Sequence, residues 1–90
     1  MFPMTISKDY KTEHIVLKCV TFPRQDEIHF RVKYNILLRK MKLFVTNHLE
    51  MDMEELRFFY DGRVIEDFDT PLALGMESGD LIEVFVNHLP

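Results

Sequence analysis

The sequence is poor in the residues that build disulfides, phosphate-binding loops and membrane spans. Its 90 residues include one cysteine, three glycines and no tryptophan. A single cysteine, Cys19, cannot form an intramolecular disulfide, which fits a reducing compartment. The longest uncharged apolar runs have four or five residues, whereas a membrane-spanning helix needs about 20. The first residues do not have the pattern of a signal peptide. Together these absences predict one soluble intracellular domain without a membrane partner.

Side chains that could carry catalysis or hold a metal are present, but they do not cluster. The four histidines, His14, His29, His48 and His88, show no metal-ligand spacing. Cys19 alternates with other apolar residues, which predicts a core position rather than a nucleophile. The three glycines are scattered, so no glycine-rich phosphate loop exists. The sequence therefore predicts a protein that is not an enzyme, with no metal and no cofactor.

The net charge of −4 conceals a separation of charge along the chain. Residues 24–42 carry six basic and two acidic side chains, whereas residues 50–83 carry eleven acidic side chains and two arginines. The acidic half would be repelled by phosphate, so nucleic acid is not expected as a partner. A solvated surface can produce such runs, but the separation also favours two protein partners of opposite charge preference.

The first third of the chain predicts a tail followed by a β-hairpin. Residues 1–13 have few apolar side chains and no periodicity, which predicts a flexible tail. Apolar residues recur with a period of two over residues 14–20 and again over residues 28–34, as in half-buried strands. Residues 23–26 are polar and begin with proline, so they predict the turn that joins the two strands.

A helix is predicted to follow the hairpin. Leu38, Met41 and Val45 recur at helical spacing and form an apolar stripe. Asn35 precedes this stripe and has a side chain that can accept hydrogen bonds from unpaired backbone N–H groups, so it is the expected N-cap. The predicted helix covers residues 36–48.

The second half predicts three more strands and one short helical turn. Residues 56–60 alternate and end at Asp61-Gly62, a strong turn signal, before a short return strand at residues 64–65. Thr70-Pro71 is typical of the start of a helical turn, and a last strand covers residues 81–86. This order predicts an α+β fold in which one sheet packs on one helix.

Four blocks of this sequence resemble the SUMO family. They are Glu27 to Lys33 (EIHFRVK), Leu56 to Gly62 (LRFFYDG), Thr70-Pro71 with Leu74 to Glu77 (LGME), and Asp80 to Val84 (DLIEV). The resemblance covers residues 14–89 and implies a ubiquitin-like β-grasp fold for residues 14–90. It also implies a role in ubiquitin-like conjugation pathways, and a location in the nucleus with the cytoplasm as a second compartment.

The C-terminal residues depart from the SUMO pattern. A conjugated SUMO ends in Gly-Gly, whereas Pro90 stands here where the first of these glycines would align. The stretch at residues 74–84 is also similar to SUMO-like domains in genome-maintenance adaptors, which are not conjugated. We therefore expect a non-conjugatable module that binds other proteins. The alternatives are a genuine modifier whose Gly-Gly tail was trimmed or altered, or a structural domain that self-associates through its apolar helix face.

The resemblance implies a groove between the second strand and the helix, which takes SUMO-interaction motifs as an added β-strand. The matching positions are Ile28, His29, Phe30, Val32, Lys33, Lys40, Met41, Val45 and His48. Leu37 and Phe44 depart from the family, because they replace a polar and a small residue. They either change the peptide groove, or fill a locally different core or contact a neighbouring domain.

The resemblance also implies an acidic surface that docks on the SUMO-conjugating E2. Gly75, Glu77 and Asp80 match this surface, and Asp80 is expected to be exposed and to contribute most. The alternative is that these are ordinary turn residues. Phe59 is expected to point away from the core on its strand, as a possible third patch. The predicted partners are thus the E2 and proteins with SUMO-interaction motifs, and the domain is expected to be a monomer.

Overall fold

The chain forms a five-stranded mixed sheet that wraps around one long helix. The structure is a computed structural model that describes residues 13–87. Its elements are β1 (His14–Phe22), β2 (Glu27–Lys33), α1 (Leu38–Leu49), a 3₁₀ turn (Met53–Glu55), β3 (Leu56–Tyr60), β4 (Arg63–Val64), α2 (Pro71–Leu74) and β5 (Leu81–Val86). The predicted tail, apart from Glu13, lies outside the described residues. No helix among residues 13–87 is long and apolar enough to cross a membrane.

The strand order is β2-β1-β5-β3-β4. β1 pairs with β2 as the predicted antiparallel hairpin, and β1 pairs in parallel with β5 at the centre of the sheet. β3 pairs antiparallel with both β5 and β4. Within residues 13–87, β2 is an edge strand, and no strand of this range pairs with its second edge.

The inward residues of the strands form the core, as the period of two predicts. Leu17, Cys19, Ile82 and Val84 are fully buried on the two central strands. The helical stripe of α1 packs on this face of the sheet and belongs to the same hydrophobic cluster. Burial raises the pKa of the Cys19 thiol to about 12, because the interior disfavours the thiolate.

Helix α1 begins at Leu38, and the expected cap at Asn35 is wrong. Leu37 occupies the N-cap position and gives no side-chain hydrogen bond. Instead, the N–H groups of Leu38 and Arg39 donate to the backbone carbonyls of Asp69 (2.8 Å) and Asp67 (3.0 Å). A distant loop thus satisfies donors that a local side chain satisfies in most helices.

The same loop holds the side of α1. The Nζ of Lys42 donates to Oδ1 of Asp67 at 3.0 Å, and the lysine side chain is only 11% exposed. Within the loop, the N–H of Glu66 donates to Oδ2 of Asp69 at 2.8 Å. The loop 66–69 therefore fixes both the start and the orientation of α1 against the sheet.

Helix α2 has the predicted boundaries. The Thr70 hydroxyl accepts a hydrogen bond from the N–H of Ala73 at 3.0 Å, and Pro71 occupies the first turn. Gly75 ends the helix with a φ of 69°, a left-handed conformation that glycine adopts at no steric cost. The next residue, Met76, is buried in the core.

The turn between α2 and β5 is organised around the Asp80 carboxylate. Its Oδ2 accepts hydrogen bonds from the Tyr60 hydroxyl (2.7 Å) and from the N–H of Glu77 (2.9 Å). The Asp80 carbonyl accepts from the N–H of Lys18 at 3.1 Å, which joins the turn to β1. The hydrogen bond to Asp80 raises the pKa of Tyr60 to about 12, and burial and the negative charge of Asp80 add to the effect.

We expect the hydrogen bond between Tyr60 and Asp80 to make the free energy of unfolding decrease as the pH rises in the alkaline range. A tyrosine in an unfolded chain has a pKa of about 10, so the fold favours the protonated phenol. The resulting stabilisation is complete below pH about 10 and is lost as the pH rises towards about 12. The measurement is urea unfolding of the wild type and of Tyr60→Phe at several pH values between about 10 and about 12. The difference in the free energy of unfolding between the two proteins should shrink as the pH rises. A constant difference contradicts the assignment, and Asp80→Asn should move the phenol titration back towards its ordinary value.

Candidate peptide groove and acidic turn

The groove between β2 and α1 combines an unpaired strand edge with an apolar floor. Among the strands of the described part of the chain, β2 pairs only with β1, so its other edge presents backbone N–H and C=O groups. Four of the predicted groove residues, Ile28, Val32, Met41 and Val45, are buried in the core. Ile28, Met41 and Val45 hold β2 and α1 together beneath the groove, whereas Val32 also lines one end of it.

The end of the groove near the start of α1 is an open pocket, here called the upper pocket. It is lined by Arg31, Val32, Lys33, Ile36, Leu37 and Lys40, among others. Leu37 is 49% exposed, an unusual position for a leucine, and it adjoins three cations. Arg31, Lys33 and Lys40 form no ion pair with any residue in the range 13–87. This pocket therefore suits an apolar side chain followed by acidic groups.

Sequence reasoning did not include Arg31 and Ile36 in the groove. Arg31 alternates with inward residues of β2, so the period of two places it on the opposite face of the sheet. It reaches the upper pocket because β2 lies at the sheet edge, a placement that the pattern along one strand does not reveal. Ile36 was assigned to the first turn of the helix, but it precedes α1 and packs on the core.

Aromatic side chains fill the other end of the groove. The Phe44 ring, on α1, lies 5.7 Å from the Phe30 ring on β2 and 6.4 Å from the His48 ring. Phe44 is 50% exposed and Phe30 is half-buried beside it. The three rings form a row that bridges β2 and α1. Phe44 therefore narrows the groove at this end and leaves the upper pocket open.

The remaining predicted residue of β2, His29, faces away from α1. Its exposed ring lies on the outer face of the sheet, where Nε2 is 3.3 Å from Oε1 of Glu27. The structure thus separates His29 from Leu37 and Lys40, which lie on the helix side.

Residues 75–80, here called the acidic turn, contain Gly75, Glu77 and Asp80, and the two carboxylates differ in availability. Glu77 is exposed, and its carboxylate forms no ion pair within residues 13–87. Asp80 is only partly exposed and binds Tyr60 and the Glu77 N–H. The expectation that Asp80 is an exposed surface charge is therefore wrong. Ser78 is also engaged, because its hydroxyl accepts from the N–H of Val16 at 2.9 Å.

No group of three or more histidine, cysteine or acidic side chains that could hold a metal ion occurs among residues 13–87. In the acidic turn, the Ser78 hydroxyl and the Asp80 carboxylate are engaged in contacts of the fold, whereas the Glu77 carboxylate is exposed. The chemistry that these surfaces offer is recognition: a strand edge, apolar side chains and charges of both signs.

Comparison with known proteins identifies the family. The model of the family described as "Ubiquitin-2 like Rad60 SUMO-like" matches residues 14–86. The "Small ubiquitin-related modifier" of Caenorhabditis elegans is 42% identical over 77 residues, which cover 86% of this chain and 84% of the relative. Both findings confirm the resemblance to SUMO that the sequence blocks carry.

Solved structures confirm the fold class. The ubiquitin of Caldiarchaeum subterraneum superposes with a TM-score of 0.79 at 20% identity, covering 86% of this chain and 98% of that one. The ubiquitin-like domain of Plasmodium falciparum Dsk2 gives a TM-score of 0.73 at 15% identity, covering 82% and 99%. The fold is thus the predicted α+β β-grasp, and the chain belongs to the Rad60 SUMO-like family of ubiquitin-like domains.

Proposed function

We propose that this domain is a non-conjugated binding module of the SUMO pathway that captures extended peptides along the free edge of β2. The observation that carries the proposal is the juxtaposition of this edge with exposed Leu37 and three cations. These cations, which form no ion pair within residues 13–87, are Arg31, Lys33 and Lys40. An extended peptide adds to an edge strand through backbone hydrogen bonds, and side-chain pockets supply specificity. No rearrangement of the sheet is required.

The preferred peptide follows from the shape and charge of the groove. Its apolar residues would contact Leu37 and Ile36 in the upper pocket, and its acidic residues would lie near Lys33 and Lys40. Because Phe44 covers Phe30, the apolar part should be short. Affinity should be weak, since a short peptide buries little area and loses conformational entropy on binding.

Lys40→Glu should weaken binding of a peptide with three or four apolar residues followed by acidic residues. The loss should be about tenfold, because reversing one charge next to an acidic flank costs about 1.4 kcal/mol or more. The measurement is a titration of isotope-labelled protein, monitored through backbone amide shifts. Arg63→Glu is the matched control, since it reverses an equivalent charge at the opposite edge of the sheet. Absence of shifts in β2 and α1 at millimolar peptide contradicts the proposal.

We further propose that the acidic turn contacts the SUMO-conjugating E2. Glu77 is the carboxylate that remains available there, and the eleven acidic residues of the 50–83 segment supply long-range attraction that salt should screen. Asp80 supports this surface by fixing the turn. Substituting it by arginine would remove two hydrogen bonds to a charged group, each contributing about 1.5–3 kcal/mol, and would test folding rather than binding.

Two other substitutions separate charge from structure at the acidic turn. Asp80→Asn keeps an acceptor oxygen and removes the charge, whereas Tyr60→Phe removes a hydrogen bond and keeps the charge. If Asp80 contacts the E2 through its charge, calorimetry should give a several-fold affinity loss for Asp80→Asn and none for Tyr60→Phe. Glu77→Gln should weaken binding in either case. Equal E2 affinity for the wild type and Glu77→Gln at low salt would exclude this surface.

The alternative function is that of a conjugated modifier, and the identity to the C. elegans modifier favours it. Conjugation needs a C-terminal backbone that extends through a narrow enzyme channel, and Pro90 would place a ring where a conjugated SUMO has a glycine without a side chain. We expect no thioester between this chain and the SUMO E1 in the presence of ATP. The C. elegans modifier is the positive control. A thioester formed through this C-terminus would establish the modifier function instead.

A further inference from the structure

Within residues 13–87 the sheet has two free edges, β2 on one side and β4 on the other. In an antiparallel strand, the backbone groups of successive residues point to opposite sides. The N–H of Ile65 donates to the Phe58 carbonyl at 2.9 Å, so Val64, one residue earlier, directs its N–H and C=O away from β3. Val64 is 58% exposed, and its backbone groups have no partner on that side among the described residues. The β4 edge therefore offers one residue with both backbone groups available.

Arg31 holds the equivalent position on β2. The N–H of Tyr34 donates to the Glu13 carbonyl at 2.8 Å, so alternate residues of β2, from Ile28 to Tyr34, direct their backbone groups towards β1. Arg31 lies between two of these residues, and its N–H and C=O therefore point to the free edge. Each edge of the sheet can thus pair with an added strand.

The two edges carry charges of opposite sign. The three cations of the upper pocket lie along the β2 edge and form no ion pair within residues 13–87. At the other edge, Asp61 comes before β4 and Glu66 after it. Both carboxylates are exposed, and neither forms an ion pair in the described part of the chain. Residues 61–69 contain four acidic residues and one basic residue.

These charges determine which edges of two copies can meet. Charged side chains on an edge strand normally keep it from pairing with the edge of another molecule. Two β2 edges would bring cations together, and two β4 edges would bring carboxylates together, and like charges placed opposite each other are destabilising. A β2 edge that meets a β4 edge combines opposite charges instead. The edge charges therefore oppose two of the three possible pairings and favour the third.

The strand directions also fit this pairing. β4 is antiparallel to β3, β3 is antiparallel to β5, β5 is parallel to β1, and β1 is antiparallel to β2. Strands β4 and β2 therefore run in opposite directions within one chain. Two copies in the same orientation bring these strands together as an antiparallel pair, the more stable of the two ladder types. Because each copy uses two different surfaces, one free edge always remains for a further copy.

We propose that this domain associates with further copies of itself head to tail, through pairing of the β4 edge of one copy with the β2 edge of the next. Because β4 has two residues, the contact buries less than the roughly 800 Å² per partner of a stable interface, and the association is weak. A peptide bound along β2 excludes it, since both use the same edge. The association itself does not depend on peptide binding.

The first test exchanges the charges of the two edges. The acidic variant, Arg31→Glu with Lys33→Glu, carries carboxylates at both edges, and the basic variant, Asp61→Asn with Glu66→Lys, carries cations at both. In sedimentation velocity at low salt and millimolar protein, the wild type should form oligomers whose size grows with concentration. Each variant alone should remain a monomer, whereas an equimolar mixture of the two should form oligomers again. Lys18→Glu is the matched control, because it reverses a charge on the interior strand β1 and should leave the association unchanged.

A second test addresses the backbone contact. Val64→Pro removes the N–H that points to the free edge and keeps the hydrogen bonds of β4 to β3, as proline does on edge strands. The dissociation constant should rise about tenfold. Val64→Thr keeps both the N–H and the shape of the side chain, so it should associate like the wild type. Backbone amide spectra establish that both variants are folded, and the charge exchange tests the same contact if the proline variant is not.

The proposal is overturned if the wild type remains a monomer at low salt and millimolar concentration, or if the mixture of the two charge variants does. A closed dimer that does not grow with concentration also overturns it, as does equal association of Val64→Pro and Val64→Thr. Failure of dilute, monomeric protein to bind a peptide contradicts the proposed function instead and leaves this association in place.

Discussion

The parallel pairing of β1 with β5 is the interaction on which the rest of the fold depends. It joins residues separated by more than 60 positions, from Lys18 opposite Leu81 to Phe22 opposite Phe85. On the inner side it places Cys19 beside Ile82 in the core. On the outer side it brings the Phe22 and Phe85 rings to a distance of 5.2 Å, and at one end it holds the acidic turn. The core, this pair of rings and the acidic turn therefore take their geometry from one strand pair.

The width of the peptide groove depends on a second long-range constraint. The loop 66–69 caps the start of α1 at Leu38 through its carbonyls and fixes the helix orientation through Asp67 and Lys42. Because β2 is set by β1 and α1 by this loop, the opening between them is determined by two independent sets of hydrogen bonds. The side chains of Phe44 and Leu37 take part in neither set of hydrogen bonds. Substitutions at these two positions can therefore adjust which peptides fit.

The sequence predicts features that depend on neighbouring residues and misses those that depend on distant ones. The strand alternation, the stripe of α1 and the Thr70-to-Gly75 helical turn are local patterns, and the structure confirms them. The start of α1 was misplaced because the carbonyls of Asp67 and Asp69 replace the Asn35 side chain. The sequence predicts an exposed Asp80, because no residue near it in sequence identifies Tyr60 as its hydrogen-bond partner. The contact of Phe44 with Phe30 likewise joins two elements and is not visible in the sequence. The sequence shows only that Phe44 replaces a residue that is small in the SUMO family.

The burial of Cys19 makes the reactivity of its thiol a measure of how often the core opens. Its thiol is the one cysteine sulfur in the chain, and with a pKa of about 12 it is almost entirely protonated at neutral pH. The thiolate is the species that alkylating reagents attack. Because the Cys19 side chain points from β1 into the core and is fully buried there, a reagent reaches it only when the core opens. The rate of alkylation therefore follows opening of the core.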